Sequence, residues 1–266
     1  MNFKDIVYER CDYDSIKGIY EKALADIRSS EKFEDLKASI EGLNKTRVHL
    51  QTMKELASIK YSINTKDDFY MAENEYWDEY VPLYQDLDYN LYQTLLKIDY
   101  KDQIIGEYGQ QFYGLMECNV KSFSKEIIGL LQEENKLMSE YTALLASAKI
   151  DFDGRICNLS DMNLYMESLD DKVREEAIRA HTHFFEENEA RFDQIFDRLV
   201  KIRHQMALKM GYKSFVDLGY YRMQRTDYNR DMVANLRENV LVKYGKKAQD
   251  LYDDQAKRIG RDKIDS

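Results

Sequence analysis

A single proline, Pro82, in 266 residues, alongside only 11 glycines, leaves this chain short of the punctuation that sheets and irregular loops need. Long helices are what such a sequence can build, provided its apolar residues recur at helical spacing. They do. After Asp14, placed to cap a helix by accepting from free N–H groups, Ile16, Ile19, Ala23 and Ile27 mark a first helix. A second, about 32–61, carries Phe33, Leu36, Ile40, Leu43, Leu50, Met53 and Leu56 in one stripe suited to a long neighbour. A third starts at Asp67 and lines up Trp77, Tyr80, Tyr84, Leu87, Leu91 and Leu95, with a kink or break predicted at Pro82, which has no N–H to donate.

Further helices are predicted over about 102–117 and 124–148, the latter opened by Ser124. From Asp170 to Met210 the spacing of Val173, Ala177, Phe184, Ile195, Leu199, Ile202 and Met206 predicts one rod of about 60 Å, closed by Gly211. A short helix after Ser214 and a long one over about 229–259 complete the set. The pattern changes once, at 149–158, where alternating runs flank Asp153-Gly154, a pair that accepts the positive φ angles of a type I′ turn. The fold class is therefore all-α: long packed antiparallel helices with one short β-hairpin near 149–158.

With 44% hydrophobic residues the chain can bury one large core or two fused ones. A net charge of −10 argues against a nucleic-acid binder, whose affinity rests on clustered Lys and Arg. The charge is uneven: ten acids against Lys97 and Lys101 over 67–102, and fifteen bases against nine acids over 201–266. The two blocks either face each other, line different sides of a cleft, or are solvated helix faces. Cys11, Cys118 and Cys157 form no CxxC pair, which fits reduced thiols in the cytoplasm. The charged opening lacks the apolar run of a signal peptide, and no stretch of about 18 apolar residues suggests a membrane span.

The motifs of catalysis are missing from these 266 residues. His181 and His183 lie about 200° apart on a helix, so they cannot share a metal as the i, i+4 pair of HExxH does; His49 and His204 are isolated. HExxH itself, Glu-x-x-His, both glycine-rich phosphate loops and GxSxG are absent, which leaves the acidic stretch Glu73, Glu75, Asp78 and Glu79 without histidine partners. Tyrosines such as Tyr220, Tyr221 and Tyr228 suit a wet boundary, where the ring packs and the hydroxyl bonds.

The segments Leu199 to Arg203, His204 to Ala207, Met210 to Tyr212, Gly219 to Met223 and Arg225 to Tyr228 together resemble zinc oligopeptidases of the oligoendopeptidase F type, in the thimet oligopeptidase-like metallopeptidase family. So do the opening Asn2-Phe3-Lys4-Asp5, the run from Phe69 and Tyr70 to Pro82, and the hairpin followed by Asn158-Leu159. The resemblance covers nearly all of this chain and about half of the family's length. It implies two helical lobes flanking a deep channel that admits unfolded oligopeptides and excludes folded proteins. A zinc ion on the channel floor is held by HExxH and a downstream glutamate, and it lowers the pKa of an attacking water. On that footing residues 1–158 build an N-terminal lobe and 159–266 begin the catalytic lobe. Zinc is expected for the full-length family member and none for this chain, so catalytic and metal residues are none here. The resemblance leaves Arg222, Arg225 and Tyr228 as candidate contacts for a peptide backbone or carboxylate.

The resulting expectation is the N-terminal, non-catalytic portion of a zinc oligoendopeptidase, inactive alone and missing the C-terminal catalytic half as its partner. It predicts an exposed apolar patch and self-association. The alternative is a stand-alone helical interaction module with a closed surface.

Overall fold

Helix formation follows the capping chemistry closely. The computed structural model describes residues 5–264. Asn2, Phe3 and Lys4 of the family-like opening lie outside the described residues. Eleven α-helices and a two-stranded antiparallel hairpin are found among them. Helix α1 (Tyr13–Ser29) is capped by Asp12, not Asp14; the Asp12 carboxylate accepts from the Ser15 N–H at 2.9 Å, and Asp14 falls in the first turn. Helix α2 (Phe33–Ile63) packs on α1, and α3 (Asp68–Lys97), capped by Asp67, packs on both.

Pro82 does not break α3, and the reason lies on another helix. The missing N–H at 82 would orphan the Asp78 carbonyl four residues back. Asn135 on α6 (Ile128–Ala146) donates its Nδ2 to that carbonyl at 3.0 Å, and Gln132 donates Nε2 to the Glu79 carbonyl at 2.8 Å. Ser139 adds a bond of 2.6 Å to the Asp78 carboxylate. The defect that would end a solitary helix thus becomes the seam along which α3 meets α6.

Two expected single helices are pairs. Gly109, at φ 88°, separates α4 (Lys101–Tyr108) from α5 (Gln110–Ser122). The 60 Å rod is interrupted at Asn188, giving α8 (Asp171–Glu187) and α9 (Glu189–Lys209). The Asn188 side chain donates to the Phe184 carbonyl at 2.8 Å, occupying one of the free acceptors at the end of α8. The interruption lets Phe185 and Phe192 pack with ring centroids 5.4 Å apart, one on each side.

The hairpin is as predicted: β1 (Ile150–Phe152) pairs with β2 (Arg155–Cys157) around Asp153 and Gly154, both at positive φ. An unanticipated short helix, α7 (Leu159–Met166), follows it, opened by a reciprocal capping box between Asn158 and Asp161. Helices α10 (Phe215–Arg222) and α11 (Arg230–Arg258) end the fold.

The buried side chains form three clusters. The first joins α1–α5 around Tyr20, Leu36, Trp77 and Leu95; the second gathers Ile127, Leu131, Ile195, Met206 and Leu218; the third lies under the hairpin, around Cys157, Met162 and Ala177. Cys11, Cys118 and Cys157 are unpaired and buried. The ion pairs of the acidic block on α3 run to Arg10, Arg47 and Lys125 rather than gathering on the basic C-terminal segment. No described helix is long and apolar enough to cross a membrane.

Candidate functional site

The three candidate contacts lie around the end of α10. Ser214 caps this helix, accepting from the Val216 N–H at 3.3 Å. It closes with Gln224 in the left-handed region, φ 56°, and with the Arg225 N–H donating to the Tyr220 carbonyl at 3.1 Å. Glycine usually fills such a closing position. The connection to α11 is held against α5: Thr226 Oγ1 donates to Gln111 Oε1 at 3.0 Å, and its methyl occupies space that Gly114 leaves free. A Cβ at 114 would lie 3.1 Å from that methyl, so the glycine permits the close approach. Asn229 then caps α11 through the N–H groups of Asp231 and Met232.

Arg222 and Arg225, three residues apart, serve different surroundings. Arg222 donates to both carboxylate oxygens of Glu134, with Nη2 at 2.6 Å and Nη1 at 3.2 Å, and Arg203 on α9 adds its Nε at 2.6 Å. The Phe215 ring lies 5.7 Å from the Arg222 guanidinium and 5.9 Å from that of Arg203. Burial pushes the Glu134 carboxyl up, but Arg222 and then Arg203 reverse this and hold it below its ordinary value. It remains an anion that fastens α6 to α9 and α10. Neither Glu134 nor Arg203 stood out in the sequence, because the pair partners are 69 and 88 residues apart.

Arg225 instead faces a cleft of ≈ 990 Å³ between α10 and the first turns of α11. Its guanidinium lies 5.2 Å from the Tyr228 ring, which meets Tyr220 edge-on at 6.4 Å. Arg230, Arg237, Asp217 and Asp227 also line this cleft. Guanidiniums can donate to backbone carbonyls or carboxylates, and the rings offer faces for side chains, so the lining suits an extended polypeptide. Arg222 lines a separate cavity of ≈ 240 Å³ with Asp88 and Tyr89. The structure brings Arg225 and Tyr228 together and leaves Arg222 apart.

The donor set does not fit a zinc centre. No three His, Cys, Asp or Glu side chains among the described residues gather closely enough to hold a metal ion. His181 packs on Phe185 at 5.3 Å, and His183 faces Glu186 and Glu187 on its own helix.

The profile of the peptidase M3 N-terminal domain matches residues 3–123, which end just after α5. A crystal structure of a Bacillus anthracis str. Ames protein assigned as an oligoendopeptidase F superposes on 100% of this chain with a TM-score of 0.95 and 39% identity. Over its whole length the chain is similar to oligoendopeptidase F-type M3 peptidases. PZ peptidase A, solved with an inhibitor, matches 97% of the chain at TM-score 0.93 and 37% identity, and a further oligoendopeptidase F structure matches 98% at 0.93 and 35%. No curated protein matches. The chain spans 49% of the first of these solved proteins and 46% of the other two, about half their length. The all-α fold of this chain, hairpin included, thus matches about half of these solved proteins.

Proposed function

We propose that this chain is the N-terminal, non-catalytic portion of a cytoplasmic, zinc-dependent oligoendopeptidase acting on short unfolded peptides, and that it cleaves none by itself. The observation that carries this reading is the conjunction of a 0.95 TM-score over the whole chain with coverage of only 49% of the relative. M3 peptidases are metallopeptidases, and on this reading the other half holds the catalytic ion. Residues 1–158 form the N-terminal lobe and 159–266 begin the next. Arg225 and Tyr228 contact the peptide, while Arg222 stiffens the adjoining wall through Glu134.

The test is metal analysis of the purified 266-residue chain together with a quenched-fluorescent peptide assay. The expected result is well under one zinc per chain and no cleavage above background. Stoichiometric zinc with chelator-sensitive cleavage overturns the proposal.

A further inference from the structure

Helix α11 carries an exposed apolar row that none of the other described residues covers. At 100° per residue, Leu236, Val240, Tyr244 and Leu251 fall within an arc of about 80°, which Lys247, between the last two in sequence, shares. They are 62%, 50%, 61% and 67% exposed, and Leu241, at 68%, adds to one border. An apolar row of this length on a 29-residue helix marks an interaction surface. The helix is nevertheless fixed at both ends. Its start is tied to α5 through Thr226 and capped by Asn229; its last turns bury Ala256, and Arg261 reaches Asp171 at 3.2 Å. A face held ready in this way binds without the cost of ordering a helix.

We infer that this face of α11 is the docking surface for the second half of an oligoendopeptidase F-type polypeptide, the half that the solved relatives possess beyond their match to this chain. The inference rests on the reading above and adds the surface and its occupant. Two observations select that occupant. The relatives superpose on 97–100% of this chain and possess about as much polypeptide again. Within Arg230–Arg258 seven bases and five acids accompany the row, which suits a partner face whose apolar centre is joined by acidic groups. Val242, 70% exposed, lies about 160° from the centre of the row and supplies an internal control on the same helix.

Thiol labelling tests the inference without reading cleavage or zinc. Cys11, Cys118 and Cys157 are buried, so the background is low. Leu236→Cys, Val240→Cys, Tyr244→Cys and Val242→Cys are placed in the 266-residue chain, and in a chimera where it replaces the matching half of the Bacillus anthracis protein. The expected result is a fall of at least about tenfold in maleimide reactivity at 236, 240 and 244 on going to the chimera, with 242 unchanged. Equal reactivity in both overturns the inference. So does protection of 236 and 240 in the isolated chain that grows with its concentration, because a second copy is then the occupant. Hydroxyl-radical footprinting of the intact Bacillus anthracis protein provides an arm that needs no chimera. Its positions aligned with 236, 240 and 244 should be shielded, and their oxidation as fast as that at the position aligned with 242 overturns the inference as well. Protection together with cleavage by the isolated chain would retain this surface and remove the functional reading; reactivity without protection would do the reverse.

Discussion

The carbonyl of Asp78 depends on a side chain from another helix, and this makes Asn135 a measurable determinant of stability. Asn135→Ala leaves that acceptor without a donor and is expected to cost about 1–3 kcal/mol in urea unfolding. In a Pro82→Ala background residue 82 regains its N–H, so the same substitution should cost less, with a coupling of at least about 0.5 kcal/mol in the double-mutant cycle. Additive costs would show that Asn135 acts independently of the proline. Glu134 makes the second residue-scale prediction. Arg222→Ala removes a charge-assisted pair and should cost about 1.5–3 kcal/mol, while Arg203→Ala/Arg222→Ala leaves a buried carboxylate unpaired and should cost about 3–5 kcal/mol. Because the folded-state pKa of Glu134 is depressed, its contribution is fully present above the ordinary glutamate value of about 4.3 and is lost as pH falls through the lowered folded value. Glu134→Gln should flatten that part of the stability profile between the two values, as measured by denaturant melts across the acid range.

At the scale of elements, the end of α10 is the clearest place to gain stability. Gln224 adopts φ 56° in a closing position that suits glycine, and its side chain is exposed. Gln224→Gly should stabilise the chain by about 1 kcal/mol, raising Tm by a few degrees, whereas Gln224→Val should lower it. Signals of this local kind are what the sequence makes legible. Asp67, Ser124, Asp170, Ser214 and Asn229 start their elements because an oxygen near a free N–H is a short-range device, and Asp153-Gly154 sets the hairpin in the same way. Asp12 caps α1 although the sequence alone points as well to Asp14, because two aspartates two residues apart offer the same chemistry. The interruptions at Gly109 and Asn188 are hidden in the sequence because the apolar spacing continues across them, and only the structure shows Phe185 packed on Phe192 across the second. The passage of α3 through Pro82 was beyond any local rule, because its two donors sit on α6. The candidate site divides likewise: Arg225 and Tyr228 are near neighbours in sequence and in space, while the Glu134 pairs with Arg203 and Arg222 bridge helices far apart in the chain.

Across the whole molecule, α3 and α6 decide whether the chain unfolds as one body. Helix α3 packs on α1, α2 and α5 along one side and on α6 along another, and α6 in turn packs on α9. The donors that complete α3 at Pro82 come from α6, and the anion that fastens α6 to α9 and α10 is Glu134. Loss of the second core would therefore strip α3 of Gln132 and Asn135, so the first core should not outlive it. Trp77, the single tryptophan, is buried in that first core and reports it alone, whereas far-ultraviolet circular dichroism reports every helix. The Arg203→Ala/Arg222→Ala chain is altered only in the second core. If the cores are coupled as the seam implies, its Trp77 fluorescence midpoint and its dichroism midpoint should fall together in urea, as a two-state transition requires. A Trp77 midpoint that stays at the wild-type concentration while the dichroism midpoint drops would mean that the first core stands without α6. Adding Gln132→Ala and Asn135→Ala to the same chain should separate the two transitions, because the bonds that tie the α3 carbonyls to α6 are then gone.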